Sequence, residues 1–283
     1  MTIKELYRSC LLQLQQVYSL SEATVITDWV FESIAGIKRA TLVKTPKAEP
    51  AAETLKQLKL CFSQLLQHRP VQYVLGEAWF YHLKLKVNEN VLIPRPETEE
   101  LVELVIGSRK LQITDPMILD IGTGSGCIPI AIKKNLPATI VTALDLSEGA
   151  LLVARENAAH YNCAINFIQM DFLDEARWKS LPQFDIIISN PPYIPESEKN
   201  SLAENVLRYE PHTALFVPAD SPLLFYEKIA AFGKTHLRTH GKIYLETHES
   251  YAHDVLAIFS KDYPGSGLKQ DLYGKNRMVI VST

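Results

Sequence analysis

The sequence predicts an α/β fold, a doubly wound sheet preceded by a small N-terminal helical bundle and a β-hairpin linker. Three observations predict it. Short apolar runs alternate with helix-period stretches from residue 95 to the end of the chain. A glycine loop, Gly122-Thr123-Gly124-Ser125-Gly126, lies between one such run and a helical stretch, as expected where a sheet rim meets a ligand. The first 72 residues carry helical spacing.

In that leading segment Ile3, Leu6, Tyr7, Cys10, Leu14 and Val17 fall at helical spacing, and Val25, Trp29, Ile34 and Ile37 mark a second helix that closes at Gly36. A third helix starts at Pro50, buries Leu55, Leu58, Phe62, Leu65 and Leu66, and stops before Pro70. Nine basic against six acidic side chains, Lys47 among the nine, leave residues 1–72 at a net +3. So small an excess reads as a solvated surface in preference to a dock for an acidic partner.

Leu83, Leu85 and Val87 alternate with Lys84, Lys86 and Asn88, the period of a half-exposed strand, and with Val91–Pro94 returning, residues 73–94 read as a hairpin linker. A helix start follows at Pro96, with Glu97, Glu99 and Glu100 favouring its N-terminal dipole. Met117–Ile121 reads as a strand, Cys127–Asn135 as a helix, and Thr139–Leu144, Ile165–Met170 and Phe184–Ser189 as further strands. Lys242–Glu246 and Met278–Val281 are the late strands, and the alternation makes residues 95–283 one doubly wound domain.

The run Phe184–Ser189 stops at Asn190-Pro191-Pro192-Tyr193, on the rim where open α/β sheets bind ligands. Pro191 and Pro192 hold the backbone extended and supply carbonyls without N–H groups. The Asn190 side-chain oxygen and the Pro191 carbonyl can each accept one hydrogen of a planar NH2 group, while the Tyr193 ring stacks on the attached π-system. Such a nitrogen is a poor nucleophile, so catalysis must come from aiming it, and orientation supplies about 7 to 11 kcal/mol.

The GxGxG spacing differs from the GxGxxG that cradles a dinucleotide, which disfavours nicotinamide and flavin cofactors. Asp145 ends the next strand about twenty residues past the glycines, the distance of an acid that accepts ribose hydroxyls, so a nucleoside ligand is expected. Asp171 and Phe172 end the third strand where a base would lie. For each, a solvated carboxylate or a core aromatic is nearly as good a reading, and Asp120 shares that ambiguity.

At 283 residues the chain suits two domains, and 47% hydrophobic with 22% charged residues is ordinary for globular proteins. A net charge of -3 implies no general affinity for polyanions. No stretch suits a membrane span or a signal peptide, so a cytoplasmic location is expected. Cys10, Cys61, Cys127 and Cys163 show no ligand spacing and read as reduced thiols; no metal is expected. His212 and His248 read as structural or solvated.

Glycine loop, ribose acid and Asn-Pro-Pro-Tyr at successive strand ends resemble the class I S-adenosylmethionine-dependent methyltransferases that modify planar amino nitrogens. Three further stretches narrow the likeness: Arg69–Gly76 (RPVQYVLG), Val91–Glu99 (VLIPRPETE) and Tyr209–Leu215 (YEPHTAL). With them the chain resembles the peptide chain release factor glutamine N5-methyltransferases, most densely from Arg69 to Leu215. The resemblance implies a Rossmann-like class I methyltransferase sheet and S-adenosyl-L-methionine as cofactor. Gly122, Thr123, Gly124, Ser125, Gly126, Asp145, Phe172 and Asn190 would contact that cofactor. Asn190, Pro191, Pro192 and Tyr193 would hold the substrate amide, with Asn190, Pro191 and Tyr193 catalytic.

The implied substrate is the glutamine of the GGQ loop of release factors, docked by residues 1–72 of a monomer. The chain departs from many members at Phe216–Pro222 and at Glu246-Thr247-His248, which bears on the groove around the protein substrate and leaves the cofactor and amide sites intact. The alternative is methylation of adenine N6 or guanine N2 in DNA or RNA. Against it, the chain has no basic stripe and no target-recognition domain.

Overall fold

The computed structural model describes residues 1–44, 48–108 and 115–283, so Lys47 lies outside the described residues. The chain divides into two units, Met1–Glu77 with Ala203–Tyr209, and Ala78–Leu202 with Glu210–Thr283.

In the first unit the main helices are Ile3–Leu14, Leu20–Ala35 and Ala52–Leu65. A capping box between Thr2 and Glu5 starts the first, because each side chain satisfies a backbone N–H the helix leaves free. The second helix closes at Gly36 as expected, but its buried stripe is Ala23, Ile26, Thr27, Val30 and Phe31, and Val25 is 64% exposed. That helix is apolar around much of its girth, so spacing admits two stripes. The large Phe31 ring decides between them, meeting Tyr7 edge-on at 5.2 Å and Phe62 at 6.1 Å. The short helix Glu204–Tyr209 completes this unit, its Tyr209 hydroxyl donating to the Gln67 carbonyl at 2.8 Å.

The hairpin pairs β1 (Glu77–Phe80) with β2 (Leu83–Lys86), not with Val91–Pro94, which is irregular. Tyr81 and His82 make its two-residue turn at φ 47° and 63°, the twist such hairpins require. Tyr-His is not the usual Asn-Gly signal, which hid the turn.

The second unit is built on seven strands: β3 (Met117–Ile121), β4 (Ile140–Asp145), β5 (Ile165–Gln169), β6 (Phe184–Ser189), β9 (Leu237–Glu246), β10 (Gly267–Gln270) and β11 (Asn276–Ser282), with β7 (Ile194–Pro195) and β8 (Phe216–Val217) forming a separate short pair. Their order across the sheet is β10-β11-β9-β6-β3-β4-β5. β9, β6, β3, β4 and β5 run parallel, while β11 and β10 close one edge antiparallel, an ending that strict alternation did not foresee.

Successive residues of β6 feed opposite faces. Ile187 joins a core with Tyr226, Phe232 and Phe259, whereas Ile186 and Ile188 join Leu101, Ile130 and Tyr244 on the other side. Each such side chain contributes roughly 1.5 to 3 kcal/mol by burial, so apolar packing on both faces holds the strands in register. From β3 the chain steps outward to β4 and β5, then returns to place β6 on the other side of β3. The order therefore reverses between β3 and β6, and it is at the carboxyl ends of strands at such a switch point that ligands of open α/β sheets bind.

Candidate functional site

Register sets the site. Ile121 pairs with Leu144 on one side and Ser189 on the other, and Ser189 pairs with Leu245. The next residues along these four parallel strands are Gly122, Asp145, Asn190 and Glu246, so four separate chain segments end on one rim. Across the switch point the Ser189 hydroxyl donates to the Ile121 carbonyl at 2.7 Å, tying β6 to β3 just below it.

The glycine loop turns at φ 76° for Gly122, 53° for Gly124 and 78° for Gly126, conformations that side chains with a Cβ rarely adopt. A Cβ on Gly126 would also lie 3.1 Å from the Ala154 Cβ, so that glycine additionally admits close helix packing. Asp145 braces the loop. Its Oδ2 accepts from the Gly124 N–H at 2.8 Å and its Oδ1 from the Ser147 N–H at 2.9 Å, which leaves further acceptor positions on both oxygens. Burial raises its carboxyl above the ordinary value despite these bonds.

Beneath the loop, both Asp120 oxygens, Thr123 Oγ1 and Ser125 Oγ are buried without a hydrogen-bond partner. Asp120 is 0% exposed, and burial pushes its carboxyl up to about 7 against the pull of the nearby Thr123 hydroxyl, with the charge of Asp145 adding. Unpartnered buried polar atoms cost free energy, so these four atoms on three residues under one glycine loop form a candidate cradle for a ligand with donor groups. Burial of Asp120 excludes the solvated carboxylate.

Phe172 follows β5 at the same end of the sheet, but its ring is 5% exposed, stacked on Trp178 at 5.4 Å and edge-on to Phe232 at 5.3 Å. The Phe172 carbonyl accepts from Trp178 Nε1 at 2.8 Å. The ring thus belongs to the core. Asp171 accepts from the Leu173 N–H at 2.9 Å in a local turn.

At the proline corner the Asn190 side chain is oriented. Its Nδ2 donates to Thr98 Oγ1 at 3.1 Å, and Thr98 donates to Glu246 Oε2 at 2.7 Å. The amide oxygen of Asn190 accordingly lies on the side away from Thr98. Pro191 is buried and Pro192 and Tyr193 are half-buried. The Tyr193 ring lies 6.0 Å from that of His248, and burial, then the charge of Glu246, raises its phenol above the ordinary range. Beyond the corner, β7 pairs in parallel with β8.

Thr98 stands in the first turn of the helix Pro96–Ile106, which begins with proline as the sequence predicts. The strap before it is anchored by Glu210, whose Oε1 meets Arg95 Nη2 at 2.6 Å and whose Oε2 accepts from the Ile93 N–H at 3.2 Å. With the Glu210 side chain 1% exposed, loss of Arg95 would strand a buried charge. Sequence reasoning missed Thr98, Glu210 and Glu246 as parts of this site. The available signal was Glu246 itself, an acid ending an apolar run, as Asp145 does. The Glu246 carboxylate partners Thr98 beneath Asn190.

The arrangement offers a cradle for a ligand rich in donor groups beside an acceptor oxygen held in one orientation. Among the described residues no group of three or more His, Cys, Asp or Glu side chains is placed to hold a metal ion, and no helix is long and apolar enough to cross a membrane.

Residues 5–76 match the family described as PrmC N-terminal domain, and residues 104–213 the Methyltransferase small domain. The chain is 42% identical over 257 residues to the release factor glutamine methyltransferase of Flavobacterium psychrophilum, covering 89% of each chain. It is likewise 42% identical over 256 residues to the release factor glutamine methyltransferase of Streptococcus pneumoniae, again 89% of each. A solved 16S rRNA methyltransferase of T. thermophilus shares the fold at a TM-score of 0.50, with 14% identity over 73% of this chain and 49% of that one.

Proposed function

The chain belongs to the family of release factor glutamine methyltransferases, and from that membership we propose that it methylates the side-chain amide nitrogen, N5, of the glutamine in the GGQ loop of peptide chain release factors, with S-adenosyl-L-methionine as donor. The observation that carries the reading is the Asn190 amide, turned by Thr98 so that its oxygen end is available on the same rim as the glycine loop and Asp145.

The residues present fit the cofactor. Asp120, Thr123 and Ser125 carry buried polar atoms with no partner, suited to an ammonium and hydroxyl groups. Gly122–Gly126 allow close approach of a ligand to the backbone, and Asp145 keeps free acceptor positions for ribose hydroxyls. The Phe172 ring is committed to the core, so any part it takes in holding the base falls to its backbone. When bound, S-adenosylmethionine supplies an electrophilic methyl carbon on a positively charged sulfur.

The chain's own residues do the rest. The Asn190 oxygen and the Pro191 carbonyl each accept one hydrogen of the glutamine NH2, which fixes the plane of the amide and aims its nitrogen. As that nitrogen gains positive charge its hydrogens become more acidic, so both bonds strengthen toward the transition state. Tyr193 closes the amide plane from one side. An alkylated amide cation sheds its proton readily to water, and no side chain is needed as base.

Residues 1–72 serve as the docking unit for the release factor, and the enzyme acts as a cytoplasmic monomer. Incubation with labelled S-adenosylmethionine and either a release factor or total nucleic acid tests the reading. One added methyl on the GGQ peptide, found by mass analysis, is the expected result; label confined to nucleic acid would overturn it.

A further inference from the structure

An asparagine side chain is nearly symmetric in shape, and its oxygen and NH2 ends exchange by rotation about one bond. A clamp that depends on the oxygen therefore needs neighbours that distinguish donor from acceptor. Thr98 alone cannot do so, because a hydroxyl can donate or accept.

Glu246 removes that freedom. It ends β9 one residue past Leu245, the partner of Ser189, and so stands beside Asn190 on the rim. It is 1% exposed and Thr98 is 3% exposed, so water does not compete for either group. An ionised carboxylate only accepts. The single Thr98 hydrogen goes to it at 2.7 Å, and Thr98 has only lone pairs left to offer Asn190, which meets them with Nδ2 at 3.1 Å. The reversed amide would set the Asn190 oxygen against those lone pairs.

Burial, with Glu97 adding, favours the uncharged acid and pushes it up to about 7, against the Thr98 hydrogen bond and the positive charges of Arg277 and Arg95. A buried carboxylate costs stability unless it is paired or hydrogen-bonded, and the Thr98 hydroxyl supplies such a bond here.

We infer that Glu246 and Thr98 are positioning residues for methyl transfer, a two-bond relay that holds the Asn190 amide with its NH2 end inward and its oxygen toward the acceptor glutamine. The inference rests on the reading of Asn190 as the amide clamp. Neither residue has to touch the substrate; both act through Asn190.

The test is steady-state kinetics of the full chain on a release factor, beside the affinity for S-adenosylmethionine. Thr98→Val keeps shape and branching and removes the hydroxyl. It should lower kcat roughly tenfold or more, the scale of one hydrogen bond, with KM for the release factor and cofactor affinity little changed. Thr98→Ser restores the hydroxyl and should recover most of the loss. Glu246→Gln, which can donate to Thr98 and so permits the reversed chain of bonds, should lower kcat in the same way. It stands as the independent variant should Thr98→Val fail to fold. Wild-type kcat in a folded Thr98→Val or Glu246→Gln overturns the relay, as does a kcat that Thr98→Ser fails to restore. Failure of the wild-type chain to methylate any release factor would instead strike the clamp reading itself.

Discussion

The Asn190 amide nitrogen donates to the Thr98 hydroxyl at 3.1 Å across 92 positions of sequence. One hydrogen bond thereby joins the end of a central strand to the first turn of the helix that precedes the whole sheet, and it selects which end of the amide faces outward.

Removing that side chain should halt chemistry more than binding. Asn190→Ala is expected to lower kcat on a release factor by about 10²- to 10³-fold, the loss typical of one transition-state hydrogen-bonding group, with cofactor affinity only moderately weaker. Turnover at the wild-type rate, measured alongside calorimetric cofactor binding, would rule out the clamp.

Asp120 should carry a stability cost that depends on pH. Burial disfavours the charge and pushes its carboxyl up to about 7, well above the ordinary carboxylate range. The penalty is absent below the unfolded value, grows as pH rises, and is complete above about 7. Asp120→Asn without cofactor should therefore melt higher than wild type at pH 8, by roughly 2 to 4 °C for each kcal/mol relieved, with the gain vanishing near pH 4. Cofactor affinity should fall in the same variant. An unchanged affinity would remove Asp120 from the cradle.

Turnover should depend on pH through Glu246, which is pushed up to about 7 by burial. Glu97, Arg95 and Arg277 are the charged groups acting on it, and Tyr193 lies close by. Above that pH the carboxylate only accepts and the relay has one direction; below it the acid can donate and the direction is lost. At saturating cofactor, kcat is expected to fall as pH drops from 8 to 6, and the slope to flatten in Glu246→Gln. A wild-type profile level across that range would contradict this.

Two loop glycines should respond differently to alanine. On Gly124, at φ 53°, a Cβ meets nothing within 4 Å; on Gly126, at φ 78°, it meets Ala154 and Ile130 at 3.1 Å. Gly124→Ala should cost about 1 to 2 kcal/mol of backbone strain, and Gly126→Ala a further 1 to 3 kcal/mol of overpacking. Denaturant midpoints of the two variants read the difference, and equal midpoints would refute it.

The helical unit leaves Leu12 63% and Leu60 59% exposed, apolar side chains in the part of the chain proposed to dock the release factor. Leu60→Arg is expected to raise KM for the release factor several-fold while kcat and cofactor affinity hold, since a desolvated contact would be replaced by a charge. An unchanged KM would release Leu60 from that role.

Parts of the site were legible because their signal is local. Gly122, Asp145 and Asn190 each stand where an apolar run stops, and a strand end is visible from its own residues. The exposed Val25 and the Tyr81-His82 turn were not, since an evenly apolar helix does not name its buried side and those turn residues carry no turn signature. Thr98 and Glu246, 148 positions apart, share a hydrogen bond that no local pattern announces.

The sequence by itself determined the alternation of strands and helices, the loop that admits a ligand, and the proline corner, because each follows from how neighbouring residues limit one backbone. Only the tertiary structure decided that Asn190 has an inward and an outward end, that Asp120 and Glu246 lie dry, and that the Phe172 ring belongs to the core. Those properties depend on strand order and register, which set distances between groups far apart in the chain and remove the water around them.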